Sequence, residues 1–335
     1  MELEHIMEKD APWRPELCRI WERSVDLEAQ PDPFCCAPVW QLAAHRAFAP
    51  GRRVLAHGTE DSVLVLAEAA LSSGQPLLTS LEAHWFFGCP LLGPDATGLL
   101  AEALALMSHR YGHLPALLLG GIVPGSRRAR ELFTCCDPLF DIYLAGECIQ
   151  GGASLEGGLD GFLSRRSANL RSKWRKSFRR AAGRGVTFER SCPADRAGAD
   201  SVYARMLAVE QHSWKGLGHC GMTESPAREF YAGMIRRLAV RGAARVMFAR
   251  HEGWDIGFIF GGMLGPCYRG QQFSYDAAWK DLSIGNLLQV EQVRWLCEEG
   301  AVRYDMGTAS GEAMAYKRHW TEMHPVSQTW FLRPR

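Results

Sequence analysis

Residues 244–275 read ARVMFARHEGWDIGFIFGGMLGPCYRGQQFSY, and this stretch determines how the second half of the chain is interpreted. It contains three runs rich in apolar, β-branched and aromatic residues, which is the composition that β-strands favour. The pairs Glu252-Gly253 and Gly265-Pro266 separate the runs and are typical of turns. We therefore predict three consecutive strands, at 245–251, 256–263 and 268–275.

Helix and strand signals alternate after these strands. Apolar residues recur at helical spacing over residues 285–299, and Gly300 stands where a helix C-terminus favours glycine. A strand, a second amphipathic helix and a last strand complete the chain, and we predict them at 302–306, 312–320 and 326–332. The order is thus three strands, helix, strand, helix, strand.

The first half of the chain gives the same order of elements after two leading helices. The predicted segments are helices 15–24 and 38–48, strands 53–57, 63–69 and 76–79, helix 97–111, strand 116–119, helix 126–133 and strand 139–144. Five glycines within residues 146–158 mark a boundary between the halves. We predict an α/β (α+β) protein with two domains of similar order, at residues 1–150 and 151–335.

The composition is that of an ordinary enzyme, with 335 residues, 47% hydrophobic and 22% charged. The net charge of +1 favours no particular class of partner. Eleven cysteines without any Cys-x-x-Cys spacing favour reduced thiols in a cytoplasm over disulfides or a zinc site. Since neither a signal peptide nor a spanning apolar run is visible, we predict a cytoplasmic protein without a metal and without membrane insertion. The sequence does not indicate an oligomeric state.

A strongly basic segment precedes the second set of strands. Residues 164–190 hold ten Lys and Arg and a single acid, Glu189. A helix at 163–184 would place Leu170, Trp174 and Phe178 in one apolar stripe and leave the rest cationic. Such a run is either a solvated face or a surface for a phosphate-rich partner, namely a coenzyme A tail, an acyl carrier protein or a tRNA.

The most specific motif lies near the end of the chain, in Tyr304-Asp305-Met306-Gly307, Glu312 and 315–320 (AYKRHW). Its companions are Tyr275-Asp276, Ser283-x-Gly285, 179–183 (RRAAG), Glu210-x-x-Ser213-Trp214-Lys215-Gly216 and Pro33-Phe34 with Trp40. In this combination the chain resembles the bacterial acetyltransferase-like double-GNAT family, which is related to the Fem-type peptidyltransferases that use aminoacyl-tRNA.

The resemblance implies two tandem GNAT-like domains with mixed central sheets flanked by helices. The N-terminal domain would be degenerate, and the C-terminal domain would be catalytic. It also implies transfer of an acyl or aminoacyl group to an amine. Lys317 matches the lysine of the Fem-type Phe/Tyr-Lys motif, which faces the substrate.

The resemblance further implies that the loop before helix 285–299 binds the pyrophosphate of coenzyme A through backbone N–H groups. A helix N-terminus attracts anions, and glycine permits close approach. Here the loop has one glycine, whereas the family pattern is Arg/Gln-x-x-Gly-x-Gly/Ala. Ser283 is expected to cap the helix and Lys280 to neutralise a phosphate. The candidate donor-binding residues are Lys280, Ser283, Ile284, Gly285, Asn286, Arg175 and Arg179.

Amide formation needs a base for the ammonium proton and a hydrogen-bond donor for the oxyanion. The carboxylate candidates for the base are Glu210, Asp276 and Asp305. Tyr275 or Tyr316 would protonate the leaving thiolate, while Lys317 would stabilise the oxyanion or bind an anionic substrate. Each has a structural alternative, such as a surface salt bridge for Glu210. Diverging strands within 244–332 would open a slot above Lys317.

We predict an N-acyltransferase that uses acyl-CoA or an acyl-carrier-protein thioester and acylates an amino sugar, an amino acid or a peptide side chain. The alternative enzyme is an aminoacyl-tRNA-dependent transferase. The non-enzyme alternative is a nucleic-acid-binding module, against which the near-neutral net charge counts. The sequence has no nucleophile elbow, P-loop, dinucleotide fingerprint or metal-spaced His/Cys set.

Overall fold

A computed structural model describes residues 6–7, 15–27 and 30–335. The chain divides into two compact units. The first unit consists of the described residues up to Ile149 together with Pro325–Arg335, and the second is Gln150–His324. Both contain mixed sheets flanked by helices, which confirms the predicted fold class.

The first unit begins with short helices and continues as a sheet with one crossover helix. Strands β2, β3 and β4 pair antiparallel in sequence, and β4 then pairs parallel with β6 after the helix α4. Its elements are β1 (Ile6–Met7), α1 (Pro15–Asp26), α2 (Pro33–Cys36), α3 (Pro38–Phe48), β2 (Val54–Gly58), β3 (Val63–Ala70), β4 (Pro76–Ser80), β5 (Leu91–Leu92), α4 (Ala96–Tyr111), β6 (Ala116–Ile122), α5 (Arg127–Cys136) and β7 (Phe140–Ser154).

The second unit repeats this pairing pattern: antiparallel strands, a crossover helix and a parallel neighbour. Its elements are α6 (Gly158–Ser164), α7 (Ala168–Gly183), β8 (Thr187–Ser191), α8 (Arg196–Gln211), α9 (Trp214–Leu217), α10 (Ala227–Ala239), β9 (Ala244–His251), β10 (Trp254–Leu264), β11 (Cys267–Tyr275), a 3₁₀ "loop helix" (Ala277–Leu282), α11 (Ile284–Glu298), β12 (Arg303–Thr308) and a 3₁₀ "closing helix" (Glu312–His319). The final strand of the chain, β13 (Val326–Pro334), belongs to the first unit.

The final strand corrects the predicted domain border. We assigned β13 to the second domain, but it pairs antiparallel with β6 and with residues 140–149 of β7 in the first unit. The order of elements along the chain could not show this, because an alternating strand pattern fits the edge of either sheet equally well. Residues 150–154 of β7 pair instead with β12 of the second unit.

Residues 146–154 of the glycine-rich segment are strand, and the border between the two units falls within them, between Ile149 and Gln150. Glycine allows close packing there. A Cβ built on Gly152 would lie 3.1 Å from Asp305 Oδ1 and 3.2 Å from Met323 Cε. Gly151 faces Thr321 Cγ2 at 3.1 Å in the same way. The small size of these glycines lets Thr321 and Met323, which lie between the closing helix and β13, approach β7.

The predicted basic helix is two helices in the structure. α6 ends at Ser164, and α7 begins after Ser167, whose Oγ accepts a hydrogen bond from the Leu170 N–H. Serine is a favoured residue at this capping position. On the buried side of α7, the Trp174 ring stacks on Trp320 with centroids 4.5 Å apart. The apolar stripe predicted for this helix is therefore confirmed.

The strands of the second unit diverge at its centre. β11 pairs in parallel with β12 only through Cys267↔Arg303, Tyr268↔Tyr304 and Arg269↔Asp305. From Gly270 onward β11 pairs with β10 alone, while β12 continues along β7. The predicted separation of strands is thus present, and it begins directly after Arg269 and Asp305.

Within the described ranges, no helix combines the length and the apolar character that crossing a membrane requires.

Candidate functional site

Beyond Arg269, where β12 no longer pairs with β11, a side chain donates a hydrogen bond to the backbone at the edge of β11. The Phe273 carbonyl accepts a hydrogen bond from Lys215 Nζ at 2.8 Å, and the same ammonium donates to Gln272 Oε1 at 2.7 Å. Gln272 Nε2 in turn donates to the Tyr231 hydroxyl at 2.6 Å. Burial lowers the pKa of Lys215. This edge of β11 therefore carries a polar network beside the opening.

The closing helix places Tyr316 at the same opening. The rings of Tyr316 and Phe273 meet edge to face with centroids 6.0 Å apart. Tyr316 is 42% exposed, and burial of the remainder raises its pKa to about 12. At neutral pH its hydroxyl keeps its proton, so it can donate that proton to a leaving group. Tyr275, the other candidate, is half-buried at the end of β11.

The start of α11 differs from the prediction at Ser283. Its backbone has a left-handed φ of 58°, and its side chain makes no capping hydrogen bond. A capping side chain normally extends from β-region backbone, so this conformation removes the expected cap. The Ser283 carbonyl accepts from Asn286 N–H at 3.0 Å and Leu287 N–H at 3.2 Å.

The first two N–H groups of α11 belong to Ile284 and Gly285. Such groups have no acceptor within their own helix, and in the described part of the chain no other acceptor meets them. Gly285 is buried against aromatic rings, since an added Cβ would lie 3.0 Å from Phe273 Cε2 and 3.2 Å from Tyr275 Cε1. The helix N-terminus therefore lies beside the rings that line the opening.

The end of α7 packs against the loop helix. Arg180 donates a hydrogen bond to the Asp281 carbonyl, and the Arg184 guanidinium lies 5.9 Å from the centroid of the Trp279 ring. Lys280 is exposed on the loop helix, and Arg175 and Arg179 are exposed on α7. The structure thus brings the basic helix and the loop before α11 together.

Glu210 is fully buried and does not form the surface salt bridge considered above. Its Oε1 accepts from the Met222 N–H at 3.2 Å, and its Oε2 accepts from Ser213 Oγ at 3.4 Å. The Glu210 charge favours the protonated form of Lys215, which opposes the desolvation of that ammonium. Glu210 therefore stabilises the turn that presents Lys215 to β11.

The other three charged residues that were predicted to be catalytic also have structural contacts. Asp276 Oδ1 accepts from the Ala278 N–H at 2.8 Å and caps the loop helix. Asp305 is buried and accepts from Arg303 Nε at 2.5 Å. Lys317 is 8% exposed, and its ammonium donates to the Met306 carbonyl at 2.7 Å and the Thr308 carbonyl at 2.6 Å. Lys317 thus connects the closing helix to the end of β12.

The first unit also contains a large cavity, which lies apart from the predicted site residues. A cavity of about 850 Å³ in the first unit is lined by α1, β2 and α4 and contains none of the predicted site residues. Among the described residues, no group of three or more His, Cys, Asp or Glu side chains is arranged to hold a metal ion. All eleven cysteines lie in the described ranges as free thiols.

Comparison with protein families identifies the second unit. Residues 164–318 match the family model described as acetyltransferase (GNAT) domain. These residues form a GNAT acetyltransferase domain. The match therefore favours an acyltransferase, as the sequence resemblance implied, over a nucleic-acid-binding module. No curated protein sequence matches the chain.

Solved structures share the fold of the whole chain at low sequence identity. FemX covers 100% of this chain and 98% of its own length, with a TM-score of 0.66 and 13% identity. A conserved protein of unknown function from Bacteroides thetaiotaomicron VPI-5482 covers 96% of both chains, with a TM-score of 0.60 and 10% identity. L-PGS from Bacillus licheniformis covers 92% of this chain and 94% of its own, with a TM-score of 0.55 and 14% identity. The GNAT domain therefore belongs to a fold that extends over both units.

Sequence reasoning did not single out Lys215, Gln272 and Tyr231, which form the polar network at the edge of β11. Lys215 belongs to the motif that begins at Glu210. Its importance arises from its contact with Phe273, which is 58 positions away in the sequence. A lysine followed by glycine in a helical turn gives no local sign of such a contact. The available signal was the adjacent polar pair Gln271-Gln272 within β11.

Proposed function

We propose that the GNAT domain transfers an acyl group from a thioester donor, acyl-CoA or an acyl carrier protein, to an amine acceptor at the divergence of β11 and β12. The observation that carries the proposal is the convergence of three features there. The edge of β11 is open, Tyr316 keeps its proton beside it, and the N-terminus of α11 ends against the same rings. The acceptor is an amino sugar, an amino acid or a peptide side chain, and the reaction takes place in the cytoplasm.

The donor's phosphate binds at the start of α11. The N–H groups of Ile284 and Gly285 point out of the helix end, where the helix dipole favours an anion. Lys280 and the arginines of α7 supply positive charge beside it. Exposed Asn286 follows in the first turn and offers an amide to the same anion. The thioester then extends along the open edge of β11.

The transfer requires two proton movements. The amine nitrogen attacks the thioester carbonyl carbon, a C–N bond forms, and the C–S bond breaks. Tyr316 donates a proton to the departing thiolate, and a carboxylate takes the proton that the ammonium loses. Of the three predicted carboxylates, Glu210 and Asp305 are buried, whereas Asp276 is partly exposed at the end of β11. Asp276 is therefore our candidate for the base.

The proposal is tested by release of free thiol from acetyl-, octanoyl- and palmitoyl-CoA and from the matching acyl carrier proteins, with amine acceptors. Tyr316→Phe should lower kcat by about 100-fold, the lower end of what general acid catalysis contributes. The matched control is Tyr143→Phe, because Tyr143 has a similar exposure of 44% and lies in the other unit. Thiol release from none of these donors with the wild-type protein would refute the proposal.

A second candidate is transfer of an amino acid from aminoacyl-tRNA. It is favoured by the exposed cations of α7, which a tRNA backbone would also neutralise. The same opening would then hold an aminoacyl ester, and a ribose hydroxyl would leave in place of a thiol. Transfer of a radiolabelled amino acid from charged tRNA to an amine, without any thiol release, would select this candidate.

A further inference from the structure

The exposed side of α7 is a cationic surface. Lys173, Arg175, Lys176 and Arg179 are all exposed. In the described part of the chain they form no hydrogen bond, ion pair or ring contact. We call these four residues, with Arg180 and Arg184, the α7 surface. Like charges three or four residues apart on a helix repel one another, so this arrangement costs stability unless an anion binds.

Arginines directly beside α7 behave differently. Arg166 pairs with Glu322 at 2.6 Å, and Arg190 pairs with Glu298 at 2.6 Å. Among the described residues, carboxylates therefore pair with cations that flank α7 and with none on the helix itself. This difference favours a binding surface for an external anion over a solvated face.

We propose that the α7 surface docks an acidic carrier protein whose phosphopantetheine arm delivers the acyl thioester to the GNAT site. This inference rests on the proposed function and specifies its donor. In the transfer, the acyl carbon gains a bond to the amine nitrogen and loses its bond to sulfur. The arm then leaves as a thiol after taking one proton.

The position of α7 connects the docking surface to the site. Trp174 fixes the opposite side of the helix in the core, so the cations face outward. At the C-terminal end, Arg180 and Arg184 reach the Asp281 carbonyl and the Trp279 ring of the loop helix. An arm that leaves a partner docked on α7 therefore enters at the N-terminus of α11, where the single phosphate of phosphopantetheine meets the N–H groups of Ile284 and Gly285.

The extent of the surface favours a protein over coenzyme A alone. α7 has 16 residues and is about 24 Å long. Its cations are distributed from Lys173 to Arg184, about 17 Å along the axis. The phosphates of one coenzyme A at the α11 terminus would leave the far cations unpaired. An acidic helix or patch on a carrier protein would pair with the whole row.

Two observations favour an acidic protein over a nucleic acid. The net charge of the chain is only +1, whereas nucleic-acid-binding domains are strongly basic. The aromatic residues of α7, Trp174 and Phe178, face the core, so the helix offers no ring on which a base could stack. The positive charge is therefore local, which suits a small partner with a local acidic patch.

The first test measures binding of a fluorescently labelled holo acyl carrier protein by anisotropy. The variant is Lys173→Glu/Lys176→Glu, and the control is Arg196→Glu/Arg228→Glu, which changes the net charge equally at exposed arginines of the same unit. We expect the first variant to weaken the Kd at least about tenfold and the control to change it less than about twofold. Wild-type binding should also weaken as salt rises from about 50 to about 300 mM. Circular dichroism checks that both variants are folded.

The second test compares donors. For each protein, kcat/KM is measured with octanoyl carrier protein and with octanoyl-pantetheine, which carries neither phosphate nor protein. The ratio of the two values should fall about tenfold in Lys173→Glu/Lys176→Glu and stay constant in the control. An unchanged ratio together with an unchanged Kd would overturn docking while leaving thioester chemistry intact. Tight binding of tRNA that the same variant abolishes, with no binding of carrier protein, would also overturn it. Carrier binding without transfer from any thioester would instead refute the proposed reaction.

Discussion

Replacing Lys317 by methionine separates a structural role of this lysine from a chemical one. The ammonium is buried and donates to two backbone carbonyls, those of Met306 and Thr308, at 2.7 and 2.6 Å. It therefore holds the closing helix against the end of β12. The adjacent residue, Tyr316, faces the opening and depends on that attachment.

The size of the effect follows from the two hydrogen bonds. A hydrogen bond to a charged group contributes about 1.5–3 kcal/mol, and both are lost in Lys317→Met. The variant regains part of this, because methionine avoids the cost of burying an ammonium. We expect the free energy of unfolding of the second unit to fall by about 2–4 kcal/mol. Lys176→Met, at an exposed position of α7, should change it by less than about 0.5 kcal/mol.

Urea unfolding followed by tryptophan fluorescence measures the change, because Trp320 directly follows the closing helix and is buried. Thiol release measured on the same preparations gives kcat and KM. In our interpretation, Lys317→Met loses stability, and its kcat falls because Tyr316 is displaced. A variant with unchanged urea midpoint and a kcat lowered about 100-fold would show that the ammonium acts on the substrate, and the structural argument would be wrong.

Three further predictions concern the protonation of His45, the protonation of Lys215 and the packing around Gly285. Burial, together with nearby Arg52 and Arg46, lowers the pKa of His45 from 6.5 to about 4. Between these two pH values the unfolded state therefore binds a proton that the folded state does not bind. Stability should be fully present above pH 6.5 and fall by about 3 kcal/mol toward pH 4; urea titrations of His45→Phe should lack this fall. Glu210→Gln should lower the pKa of Lys215 further, because a supporting charge is lost, and amine labelling against pH with mass-spectrometric readout measures the shift. Gly285→Val should raise KM for acyl-CoA about tenfold, since its side chain meets the Phe273 ring, and steady-state thiol release checks it.

The sequence predicted those parts of the fold that depend on local patterns. Strands β9 to β11 and helix α11 lie within two residues of their predicted bounds, because turn pairs and helical spacing act over a few residues. The bounds of the last strand were also predicted, but its unit was not, since the pairing partner lies almost 200 positions earlier in the chain. The glycines of β7 indicated a boundary but not a strand, because glycine serves both flexible segments and close packing, and only the neighbouring side chains decide between them.

The candidate site shows the same division between local and distant information. The resemblance led to Lys317, Asp305 and the loop before α11, all of which lie near the divergence of the strands. It did not lead to the network of Lys215 and Gln272, which arises from a contact between α9 and β11. The expected cap at Ser283 failed for a conformational reason, because the residue type allowed a cap that its left-handed backbone does not make.

Two buried charged residues, Glu210 and Lys317, lie near the point where β11 and β12 separate, and their positions support a site there. Glu210 holds the turn that carries Lys215, and Lys317 holds the closing helix that carries Tyr316. Apolar packing of the same segments would often stabilise a protein as well as a buried charge does, because removing a charge from water is costly. The protein nevertheless has a charged residue on each side of the point where β11 and β12 separate. Directional bonds to carbonyl, hydroxyl and amide groups fix orientation more narrowly than apolar contacts, and fixed orientation is what the proposed proton transfer from Tyr316 to the departing thiolate requires.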